Sequence, residues 1–97
     1  MTLTEFEKSL QDAQPPNLSP LLISLWWDRK NNWDKAHEIA QEISGPSGSW
    51  VHAYLHRREG DPGNAAYWYQ RAGRPMPAKT LEAEWAELVN HFLQEKK

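Results

Sequence analysis

His52 and His56 stand four residues apart in the run Trp50-Val51-His52-Ala53-Tyr54-Leu55-His56. On a helix that spacing places both imidazoles on one face, where their ring nitrogens can chelate zinc or another transition metal. A metalloprotease helix carries Glu directly after its first His as the general base, but here Ala53 occupies that position. The pair supplies two ligands, and His37 on the preceding predicted helix is the residue that offers a third. The plainer reading makes these histidines structural, hydrogen-bonded between helices. The residue pattern favours it, so no metal and no cofactor are expected. His37, His52 and His56 are the candidates should a metal site form.

A second constellation shares the same segment. At 100° per residue, Trp50, Ala53, Tyr54 and Arg57 fall on one side of the helix and His52, Leu55, His56 and Glu59 on the other. Aromatic surface flanked by arginine is what binding hot spots contain. The leading expectation is therefore a non-enzymatic module that binds a protein or peptide through Trp50, Tyr54, Arg57 and Arg58, with Arg71 and Arg74 as an accessory basic rim. The alternatives are a small enzyme built on the histidine pair, or an anion-binding protein. A flanking helix covering Trp50 and Tyr54 would close that wall. Tyr67 and Arg71, again four apart, suit a cation–π pair or a phosphate contact.

No other chemistry is encoded. Ser24, Ser44, Ser47 and Ser49 lack a nucleophile-elbow context, and there is no glycine-rich phosphate loop. Glu82, Glu84 and Glu87 read as the solvated first turns of a helix, where the dipole favours acidic groups. The absence of cysteine excludes disulfides, thiol nucleophiles and thiolate metal sites together. Of five arginines only Arg29 lies outside the stretch 48–79, which is net basic between acidic ends. The arginines are therefore expected either to face an anion or to pair with the acidic terminal helices. Nucleic-acid binding needs more positive charge than this. Met1–Lys8 lacks the basic-then-apolar order of a secretory signal. The apolar run Leu21–Trp27 is too short to span a bilayer, so a cytoplasmic location is expected.

The elements that must position these residues are all helical. Ninety-seven residues with six Trp, two Val and three Ile can fill one aromatic-rich core but supply few strand formers. Capping boxes at Thr2/Glu5 and Thr4/Glu7 predict a helix running to about Ala13, before Pro15-Pro16. Ser19 and Pro20 start a second, ending near Arg29-Lys30. Trp33, Ala36, Ile39, Ala40 and Ile43 mark a third, which Ser44-Gly45-Pro46 terminates. A fourth is predicted over 49–59, a fifth from Pro62 to Ala72 closed by Gly73, and a sixth striped by Leu81, Trp85, Leu88, Val89 and Phe92 and reaching Gln94. Trp33, Trp50, Trp68, Trp85, Ala65, Tyr69 and Leu88 are expected to be buried.

The stretch Ala53-Tyr54-Leu55-His56-Arg57-Arg58-Glu59-Gly60-Asp61, followed by Ala65, Tyr69, Ala72 and Pro77, resembles a tetratricopeptide or Sel1-like repeat. A weaker copy begins at Asn31-Asn32-Trp33 and aligns Ala36 with Ala65. The resemblance covers residues 18–77. It implies an all-α fold of about six short helices in antiparallel αα-hairpins, arranged as a tetratricopeptide-like right-handed array within a single domain, 1–97. Helices at 1–14 and 78–95 would flank the repeats. It also implies a protein or peptide partner, and a short solenoid with uncapped ends could form homo-oligomers. His52 and His56 depart from the pattern, which places apolar or aromatic groups there.

Overall fold

The computed structural model of the chain describes residues 1–95, which form six α-helices and no strand. Helix α1 (Leu3–Ser9) begins where Thr2 and Glu5 close a reciprocal capping box. It stops short of the predicted Ala13 because the chain beyond it finds hydrogen bonds elsewhere. The Ser9 hydroxyl donates to the Phe6 carbonyl and accepts from Trp26 Nε1, while the Lys30 ammonium donates to the carbonyls of Leu10 and Asp12. Helix α2 (Pro20–Arg29) opens on proline as predicted, although the Ser19 hydroxyl makes no cap bond.

Helix α3 (Trp33–Gln41) is capped by the Asn32 side chain, which accepts from the Lys35 amide. It ends before Ile43, so that residue is not part of its stripe. Helix α4 (Pro46–Arg58) starts three residues before the predicted Ser49. Pro46 opens this helix: its fixed φ suits the first helical position, and it has no amide to leave unpaired there. Gly45 turns the chain into it at φ 95°. Helix α5 (Pro62–Ala72) lies between the Asp61 cap and the left-handed Gly73, and α6 (Leu81–Leu93) follows the Thr80 cap.

Every residue of α4 from Gly48 to His56 is buried, because α4 packs against α5 most extensively and also against α2, α3 and α6. Around it Phe6, Leu25, Trp26, Tyr54, Leu55, Trp85, Leu88 and Val89 are withdrawn almost completely from solvent. Trp50, Trp85, Ala65, Tyr69 and Leu88 are buried as predicted, whereas Trp33 and Trp68 are only half-buried. No described helix is long and apolar enough to cross a membrane.

Candidate metal centre

Two helices build the site. The spacing of His52 and His56 on α4 puts their rings in a near-parallel stack, with centroids 4.9 Å apart. His37 on α3 comes edge-on to both, with centroids 4.6 and 5.1 Å away. Its Nε2 lies 2.9 Å from Nε2 of His52, a hydrogen bond between the helices in which one ring donates to the other, as the structural reading of these histidines expects. The three residues offer ligand nitrogens that all lie within 4.8 Å of one another. Zn–N bonds of 2.0–2.1 Å in tetrahedral array require ligand nitrogens about 3.3 Å apart, which small ring movements reach from here.

Close approach of the α3–α4 connection sets this meeting. A Cβ on Gly48 would fall 2.0 Å from the Ile43 carbonyl oxygen, so glycine alone permits the contact. Aromatic stacking then fixes the rings. Trp68 lies flat on His52 at 4.0 Å, and Trp33 on His37 at 4.7 Å, with the Trp33 indole N–H donated to the Leu55 carbonyl. Glu59 accepts from Nδ1 of His56 at 2.7 Å, so in the neutral ring the lone pair lies on Nε2.

Two of the three rings are held in their neutral form. Burial, followed by the neighbouring His37 and His56, pushes the His52 pKa down to about 4. Burial also lowers that of His37, with His56 adding to the effect and Glu59 and Asp34 opposing it. Near neutrality these rings are therefore bases, ready to coordinate a cation without first losing a second proton. His52 and His56 are buried, while His37 is half-buried and forms the outer edge.

The other expected site residues are placed differently. Trp50 is covered by α6, its ring meeting His91 and Phe92 and its N–H reaching Glu84 at 3.2 Å. Tyr54 is 1% exposed and donates its hydroxyl to Asp28 of α2. The expected aromatic wall is thus core, because α2 and α6 need these rings to bury their own apolar faces. Arg57 pairs with Glu84 at 2.8 Å and also donates to the Lys79 carbonyl. Arg58 lies 2.7 Å from Asp28, a charge contact that lacks the alignment of a hydrogen bond. Arg74 stacks on Trp50 at 3.3 Å, and Arg71 lies over both Tyr67 and Trp68.

Glu84 corrects the reading of a solvated first turn. It is 1% exposed and accepts from Tyr69, Trp50 and Arg57. Its position four residues before Leu88 on the buried stripe is the signal that marks it. Sequence reasoning also missed Glu59 as the partner of His56, although three residues separate them on one helical face, and Trp33 and Trp68 as stacking partners of the histidines. Comparison of the chain with protein-family models, curated proteins and solved structures finds no match.

Proposed function

We propose that this chain is a small metal-binding protein whose helices hold one divalent transition-metal ion on His37, His52 and His56. The scaffold in this reading is the array of helical pairs that residues 18–77 resemble, modified so that two histidines replace the usual apolar groups on the first helix of a repeat. The observation that carries the proposal is the convergence of three imidazoles from two helices within ligand distance. Borderline-soft ions such as zinc suit an all-imidazole set, whereas magnesium and calcium prefer oxygen. The carboxylate on the far nitrogen of His56 is what orients a metal-bound imidazole elsewhere.

Metal binding takes precedence over partner binding because the six residues expected to meet a partner do not form one open surface. Trp50 and Tyr54 are buried, and Arg57 and Arg58 are committed to buried carboxylates. The test uses untagged protein stripped with a chelator, then titrated with zinc, cobalt and magnesium by calorimetry. One zinc or cobalt per chain is expected, with no response to magnesium. At a free ion concentration a hundredfold above Kd, binding adds about 2.7 kcal/mol, raising Tm by roughly 11–22 °C. A His52→Ala/His56→Ala protein that still folds should lose this rise. Failure of zinc and cobalt to bind or to move Tm in the parent would leave the histidines structural.

A further inference from the structure

We infer that an ion held here keeps a coordination position open, and that this position takes an exchangeable small monoanion, hydroxide or a small carboxylate, in place of a fourth protein ligand. This inference rests on the metal-binding reading. Three imidazoles are the protein ligands that converge among the described residues. The carboxylates that group with any of these histidines, Glu59 and Asp61, do so with His56 and not with His37 or His52. Glu59 is held at Nδ1 of His56, on the far side of the ring from the free Nε2. Asp61 accepts from the backbone and side-chain nitrogens of Asn64 as the cap of α5. Neither can swing to the ion without giving up the hydrogen bond that places it. His91 is on another helix, beside Trp50. Three protein ligands with a fourth place left over is the arrangement of zinc sites that bind exogenous groups.

Charge decides what fills that place. Three neutral imidazoles leave the ion's two positive charges uncompensated in a half-buried setting, where an anionic ligand is favoured over a neutral one. Size and charge are then limited by the walls. Trp33 and Trp68 stand against His37 and His52, and access is from the half-buried His37 edge. Glu59, 2.7 Å from Nδ1 of His56, sets a carboxylate beside the cluster, so a multiply charged anion is repelled more strongly than a singly charged one. The ligand class left is small and singly charged.

The full-length chain loaded with cobalt(II) tests this directly, since the visible d–d bands of cobalt report its coordination. Titration with azide, thiocyanate and acetate should change the bands in a saturable way, one anion per cobalt. Phosphate at the same concentration should change them at least tenfold less. Cobalt bound by the chain with bands indifferent to all three monoanions would overturn the open position while leaving the metal site standing. An equal response to phosphate would overturn the charge selection. Cobalt that does not bind at all removes the metal-binding reading and this inference with it.

Discussion

The two sides of α4 solve the burial of polar groups in opposite ways. Toward α2 and α6, each buried carboxylate brings its own cation and a tyrosine hydroxyl: Asp28 with Arg58 and Tyr54, Glu84 with Arg57 and Tyr69. Burial pushes the Asp28 pKa up against the pull of Tyr54 and Arg58, and both tyrosines are pushed far above their ordinary value, chiefly by burial. Toward α3, three imidazoles meet with no arginine or lysine among them. The first side is electrically complete and ties helices together. The second is held by hydrogen bonds between His37 and His52 and from His56 to Glu59, and a metal ion bound there would take the place of the first of these.

The sharpest way to break this comparison is Glu84→Ala. It leaves Arg57, the Tyr69 hydroxyl and the Trp50 indole without their shared acceptor, and should cost about 3–5 kcal/mol in denaturant unfolding, with metal affinity per folded molecule unchanged. A loss of affinity equal to the loss of stability would mean that the two sides are not separable. Gly48→Ala comes next. Its Cβ must displace the Ile43 carbonyl, so stability should fall by about 1–3 kcal/mol, and zinc affinity should fall as well because His37 moves away from α4. An unchanged affinity would show that the connection does not set the ligand geometry.

The smallest effect is acid sensitivity in the metal-free protein. Because the His52 pKa is lowered in the fold from 6.5 to about 4, the unfolded chain binds the extra proton first. Its contribution to stability is therefore present above pH 6.5 and is lost progressively as pH falls toward 4. His52→Gln should flatten that part of the profile of unfolding free energy against pH. A parallel profile would place the acid sensitivity in other groups.

Much of the framework was legible because it depends on short-range chemistry. Thr2 with Glu5, Pro20, and the Asp61-Pro62 and Ala72-Gly73 boundaries each satisfy helix-end donors or acceptors within a few residues. That His37 would meet His52 and His56 could be expected for the same reason, since it lies on the next helix back. Pro46 was ambiguous: Ser44-Gly45-Pro46 ends one helix and starts another, and the choice depends on Gly48 seating against Ile43. The burial of Trp50 and Tyr54 depends on where α6 and α2 return, and the half-burial of Trp33 and Trp68 on the imidazoles they cover. Those are tertiary facts that a single helix face does not carry.

The separation of the histidines along the chain has a consequence for the order of assembly. His37 and His52 are 15 residues apart, so bringing them together closes a short loop, whereas the Trp85 indole reaches the Leu25 carbonyl across 60 residues. Loop-closure entropy grows with the enclosed length, and contacts local in sequence form sooner. The α3–α4 pair can therefore bring the three imidazoles together while α6 is still unplaced, so that the cluster belongs to the early part of assembly.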